Sequence, residues 1–203
     1  MTLAEFFELS IFILAVLNPV SKVALLASLA DTHEKVELSE LAWESCLLGL
    51  GLLVVFAFAG RFILRSVFHL ELYSIEFAGG AAIFMVGLKA LSEGYFFSIP
   101  AGKTLRAISA APVGMPMIAG PATIAAVISA GVKYSPLPVS LALVPPMVVN
   151  LALMLLAARW ASRLSGSAVL GALVRITGLF VAAIGASMML SGLGVWLGGV
   201  VGS

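Results

Sequence analysis

"MIAGPATIAAVISA", residues 117–130, is the stretch on which the reading of this chain turns. No charge occurs between Arg106 and Lys133, so the run is apolar enough for the interior of a bilayer. Yet Gly120 and Pro121 stand in its middle. Proline lacks an N–H, and its ring collides with the carbonyl four residues back, so it ends the helix before it. It also suits the first position of a new helix, and glycine is an acceptable N-cap. The stretch therefore predicts two half-helices, the second starting at Pro121. Lipid offers no partner to the backbone groups such a break frees. They must face protein or a water-filled cavity.

The rest of the chain supports the membrane reading. Of 203 residues, 62% are hydrophobic and 10% charged, and mean hydropathy is +1.16. A soluble domain is nearer half apolar and a quarter charged. The net charge of +1 gives no hint of a nucleic-acid partner. The single cysteine, Cys46, excludes a disulfide framework within the chain. The N-terminus carries Glu5 and Glu8 and no basic residue, so the first apolar segment is expected to be retained and not cleaved as a signal peptide.

A helix crossing the hydrocarbon core needs about 20 mostly apolar residues. Six stretches qualify: 6–30, 41–63, 75–92, 112–132, 137–158 and 175–197. All six Trp and Tyr residues (Trp43, Tyr73, Tyr95, Tyr134, Trp160, Trp196) fall near the ends of these stretches, where amphipathic aromatics prefer to lie. Basic residues near segment ends set orientation. Lys35, Lys103, Arg106, Arg159, Arg163 and Arg175 lie on one side, and Arg61, Arg65 and Lys133 on the other. This predicts a multi-pass cell-membrane protein with both termini outside. The connector 93–111 reads as a cytoplasmic interfacial stretch or a plain linker, between a first three-helix repeat at 1–92 and a second at 112–203.

Those halves match each other weakly but in order. "AVLNPVSKVALLASLA" (15–30) aligns with "MIAGPATIAAVISAGV" (117–132) at an offset of 102, placing Pro19 over Pro121. "EFAGGAAIFMVG" (76–87) aligns with "RITGLFVAAIGA" (175–186) at an offset of 99. Three crossings per half force the second half to enter from the opposite face. The expected fold is all-α, with six transmembrane helices as two inverted three-helix repeats, discontinuous at Pro19 and Pro121. Inverted repeats with broken helices are a plan of many secondary transporters.

Two helix starts then point at a common centre. Each carries roughly half a positive charge and several free N–H groups, a ready site for a small anion or carboxylate. The candidate binding residues are Asn18, Pro19, Val20 and Ser21 in the first half, with Ala119, Gly120, Pro121, Ala122 and Thr123 in the second. Lys22 is expected to reach its stem toward the surface, with a buried pairing or proton relay as the alternative. Asn150 reads equally as a cavity-lining residue or an interhelical hydrogen-bonder. Pro145-Pro146 predicts a kink, Lys89 and Glu93 a surface ion pair. Glu76 and Arg175 are expected at opposite faces and not as partners. The glycines of spans three and six form small-residue stripes that let helices approach closely, read as packing between the repeats ahead of a homodimer face.

At this point the residues carry a resemblance. "NPVSK" (18–22), "FAGGAAIFMVGLKAL" (77–91), "PVGMPMIAGPATIAAVIS" (112–129) and "VRITGLFVAAIGASMML" (174–190) together resemble the MarC family of integral membrane proteins, over nearly the whole chain. The resemblance implies transport of small neutral amino acids such as glycine and alanine, driven by a proton or sodium gradient. Members of that family often carry Gly-Pro-Gly where Ala122 follows Pro121 here, and a glycine where Ser21 stands. Both changes would narrow the site.

Other function classes find less in the sequence. A membrane-embedded enzyme acting on a lipid or phosphorylated carrier needs acid–base partners close together. The two histidines, His33 and His69, fall in predicted loops on opposite sides. An ion channel would want a charged ring or carbonyl filter, and none stands out. No phosphate-binding loop or metal motif occurs. The expectation is a carrier and not an enzyme, without a cofactor, in contact with lipid, and open to homo-oligomerisation.

Overall fold

The computed structural model describes residues 1–29, 34–67, 69–96, 118–164 and 167–201, and every regular element among them is helical. Helices α1 (Leu3–Leu17) and α2 (Pro19–Leu29) make the first crossing. The second is α3 (Lys35–Phe62), ending in a π-helical turn at Ile63–Val67. The third is α4 (Leu72–Glu93). Then follow α5 (Pro121–Tyr134), α6 (Pro136–Ala142) with α7 (Val144–Leu164), and α8 (Ala168–Val201). Five spans are long and apolar enough to cross a bilayer: Leu3–Leu29, Lys35–Gly60, Leu72–Glu93, Pro136–Trp160 and Ala168–Gly198. α5 has 14 residues, about 21 Å of rise. The expected first half of its crossing, 112–117, lies outside the described residues. So do His33 and positions 97–111 of the predicted connector. The chain is a helical integral membrane protein.

Two helices start more than a turn earlier than hydropathy predicted. α3 begins at Lys35, not at 41, and α8 at Ala168, not at 175. Hydropathy registers the apolar stretch, whereas helical hydrogen bonding continues through the polar residues on either side. Caps fix the starts of the first and third helices. The Thr2 hydroxyl accepts from the Glu5 N–H at 3.2 Å, and the Glu5 carboxylate accepts from the Thr2 N–H at 2.7 Å. Likewise the Glu34 N–H donates to the Glu37 carboxylate at 3.1 Å. This reciprocal arrangement satisfies amides that a helix start leaves open. α8 has 34 residues, about 50 Å, so it must tilt or project beyond the ~30 Å core.

Small residues decide the packing. α4 and α8 lie against each other along their lengths. A Cβ on Gly80 would stand 2.7 Å from the Gly185 carbonyl, and one on Gly185 would stand 2.6 Å from the Gly80 carbonyl. Gly178 repeats the contact two turns away, within 3.0 Å of the Gly87 carbonyl. Backbones this close gain dispersion contacts that apolar side chains facing lipid do not. α5 is held between α3 and α4. A Cβ on Gly131 would meet the Ala57 carbonyl at 2.9 Å, and one on Gly79 would meet the Ala125 Cβ at 2.6 Å. That placement puts the first turn of α5 in the interior, facing the α1/α2 break.

The fifth crossing shows how a proline defect is absorbed. Pro146 has no N–H for the carbonyl of Ala142, four residues back. The Ser10 hydroxyl of α1 shares its one proton between the Phe6 carbonyl of its own helix, at 2.8 Å, and that carbonyl, at 3.1 Å. The helix is interrupted at Leu143, whose backbone stays near helical values (φ −72°, ψ −25°). The predicted kink at Pro145-Pro146 is therefore a shallow interruption one turn earlier, held by a neighbouring helix.

Replacing Gly80 by leucine should force α4 and α8 apart. We expect a loss of about 1–3 kcal/mol, the usual cost of overpacking, read as a lowered thermal unfolding midpoint in detergent. Gly171→Ala is the control, because nothing lies within 4 Å of a Cβ there. Alanine at that helical position should be neutral or stabilising by up to ~1 kcal/mol.

A candidate binding site between two helix starts

The first break is built from three consecutive decisions by the backbone. Asn18 ends α1 in the left-handed region (φ 46°, ψ 76°), which asparagine tolerates better than most residues. Its N–H still donates to the Leu14 carbonyl at 3.0 Å. Pro19 then starts α2. The Asn18 carbonyl accepts from the Ser21 N–H at 3.1 Å and from the Ser21 hydroxyl at 2.7 Å. Ser21 has thereby turned away from the Leu17 carbonyl, its partner in an unbroken helix.

Lys22 fills that vacancy. Its ammonium donates to the Leu17 carbonyl, and the residue is only 2% exposed. The expected reach toward the surface is thus overturned. The carbonyl that Ser21 has left is within reach of the buried ammonium. A cation at a helix C-terminus also meets the negative end of the macrodipole.

The second break is plainer. Gly120 is the N-cap of α5 with extended backbone (φ −72°, ψ 166°), and Pro121 follows at the first helical position. The Ile124 N–H reaches back to the Gly120 carbonyl at 2.9 Å. The amides of Ala122 and Thr123 precede the first bond of the α5 ladder, so that ladder offers them no acceptor.

The two breaks open on one cavity of about 100 Å³, lined by Asn18, Ser21 and Lys22 from the first and by Gly120, Pro121, Ala122 and Thr123 from the second. Space of this size holds several water molecules. Ile83 and Val86 of α4, Val181 of α8 and Phe96 supply apolar wall. Asn18 is 8% exposed, and its side-chain Nδ2 is a buried donor without a partner among the described residues. Thr123 and Ser21 are buried. Among the described elements the local charge is positive. The starts of α2 and α5 each bring about half a positive charge against the half negative charge at the end of α1, and the Lys22 side chain adds further N–H donors.

Not every predicted residue joins the cavity. Pro19, Val20 and Ala119 sit at the breaks without lining it. Asn150 also stands apart: it is fully buried in α7, with Nδ2 3.4 Å from Cys46 Sγ of α3 and 3.4 Å from Met154 Sδ. Its reading as an interhelical residue is the one its contacts support, though its Oδ1 has no partner. Phe96 was not singled out in the sequence. Its place just past the end of α4 and its bulk were the available signals. Elsewhere, Lys89 and Glu93 pair at 3.9 Å on the surface. Arg175 donates to the Leu91 and Ser92 carbonyls at 2.7 and 2.9 Å, closing the end of α4. Among the described residues no group of three or more His, Cys, Asp or Glu could hold a metal ion.

Comparison with known proteins agrees with this architecture. The description "MarC family integral membrane protein" matches residues 3–197. UPF0056 membrane protein PH0214 of Pyrococcus horikoshii is 34% identical over 192 residues, covering 95% of each chain. UPF0056 membrane protein YvbG of Bacillus subtilis is 26% identical, covering 90% of this chain and 91% of its own. UPF0056 inner membrane protein YhgN of Escherichia coli is 23% identical, covering 96% of this chain and 99% of its own. No solved structure matches. The chain belongs to the MarC family.

Lys22→Met should cost about 1–3 kcal/mol, because it strands a buried carbonyl. Lys89→Met, at an exposed helical pair, should cost no more than about 0.5 kcal/mol. Chemical or thermal unfolding of the two variants in the same detergent checks the contrast.

Proposed function

We propose that this MarC family member is a secondary transporter of small neutral amino acids, glycine and alanine foremost, and not an enzyme. The observation that carries the reading is the shared cavity, with two helix starts and an unpartnered Asn18 amide on its wall. A buried donor without a partner costs free energy, and a carboxylate entering the cavity would relieve it. The N–H groups of Ala122 and Thr123, the Thr123 hydroxyl, the Asn18 amide and the Lys22 ammonium are donors on that wall. Ser21 spends its hydroxyl proton on the Asn18 carbonyl. Its lone pairs are left to accept from the substrate's ammonium group.

Size supports the substrate class. About 100 Å³ between Ala82, Ala122 and Val86 leaves little beyond the backbone atoms of an amino acid. In this reading the two halves form an inverted repeat and rock about the site, exposing it to each face in turn. A proton or sodium gradient drives the cycle, and both termini lie outside.

Purified protein in proteoliposomes should accumulate or exchange labelled glycine and alanine under an imposed proton or sodium gradient. Thr123→Val should raise KM about tenfold, the loss of one good hydrogen bond. Failure of both amino acids to move under every gradient would remove the substrate class.

A further inference from the structure

A second cavity, of about 280 Å³, lies toward the membrane face on which α1 begins. It is lined by Glu76 near the start of α4, by Ser129 and Lys133 one turn apart on α5, and by Ser187 and Ser191 one turn apart on α8. The Ser129 hydroxyl donates to the Glu76 carboxylate. Lys133 shares the cavity but makes no ion pair with Glu76; among the described residues the one pair within 4 Å joins Lys89 and Glu93. The Lys133 ammonium rests instead over the Tyr134 ring, 4.7 Å from its centroid.

Glu76 and Lys133 thus bring opposite charges to one space without pairing, with Glu5 and Glu8 of α1 also near enough to act on Lys133. Each would gain by closing on the other, unless the geometry holds them apart. A molecule with both charges can engage both: its ammonium at Glu76 and its carboxylate at Lys133, with serine hydroxyls between. The volume is close to the lower end for small-molecule sites.

The same four helices line both cavities. On each, the linings are offset along the axis: Leu9 and Phe12 against Val16 and Leu17 on α1, and Ser129 and Lys133 against Gly120–Thr123 on α5. Between them stands an apolar contact in which Ala125, Ile83 and Met188 belong to one buried cluster. Gly79 lets α4 close on Ala125 there.

We infer that this second cavity is an entry site that captures a zwitterionic amino acid through Glu76 and Lys133 before it passes the Ala125–Ile83–Met188 contact to the central cavity. The inference rests on the transport reading for its route, but the capture step is testable alone. Ser187→Cys is placed in a Cys46→Ala background in nanodiscs, and its reaction with a membrane-impermeant thiol reagent is followed. Alanine should slow labelling. Glu76→Gln and Lys133→Gln should each shift the protective concentration upward about ten- to hundredfold, as loss of a charged partner does, with the unfolding midpoint retained. Thr123→Val, which alters only the central cavity, should keep the protection. If alanine fails to protect a protein that transports it, the inference falls and the transport reading stands. Absence of both protection and transport removes both. Protection that disappears in Thr123→Val but survives in Glu76→Gln and Lys133→Gln places the effect at the central cavity and overturns the inference.

Discussion

The ammonium of Lys22 on the carbonyl of Leu17 is the contact on which the first break depends. An interrupted helix inside a bilayer leaves acceptors at the end of one half and donors at the start of the next. Water cannot reach them from lipid, and each group left alone costs several kcal/mol. Lys22 closes one of those acceptors, the Leu17 carbonyl. At the start of α2 the Ser21 N–H returns to the Asn18 carbonyl, so the donors that face the cavity are the Asn18 amide, the Lys22 side chain and the first amides of α5. The asymmetry converts a structural cost into a polar surface with one preference, for negative charge.

The same economy recurs at Pro146, but with the opposite result. There a hydroxyl from α1 shares its proton with the freed carbonyl, and the backbone stays near helical values. The contrast sets the breaks at Pro19 and Pro121, which border the cavity, against a proline defect that packing absorbs. What matters is whether a neighbouring side chain reaches the exposed groups. Packing determines that: α5 sits between α3 and α4 through Gly131 and Gly79, with its first turn toward Asn18.

Much of this was legible in the sequence because it rests on local rules. Proline forbids a helical bond wherever it stands, so Pro19 and Pro121 announced the breaks. Glycines at helical spacing announced close-packing faces on α4 and α8, and the structure turns those faces on each other in place of the alternative, a second copy of the chain. The fate of Lys22 was not legible, since snorkelling and burial differ only in which acceptor is nearer. That acceptor exists because Asn18 takes a left-handed conformation and Ser21 bonds the wrong carbonyl for a helix. Asn150 was ambiguous for a similar reason: its sulfur neighbour Cys46 is 104 positions away. The second cavity escaped notice because Glu76 and Ser129 are 53 residues apart, and each reads alone as an interfacial residue.

The central claim is that the starts of α2 and α5 face one another across a single polar cavity. Paired cysteines test it most directly: Ser21→Cys with Thr123→Cys in a Cys46→Ala background, treated in native membranes with a short bifunctional thiol reagent. The account predicts efficient cross-linking within the chain, and none when Ser21→Cys is paired with a cysteine at the exposed Leu190. If both cavity cysteines react singly with the reagent yet never join, the two helix starts do not share a site.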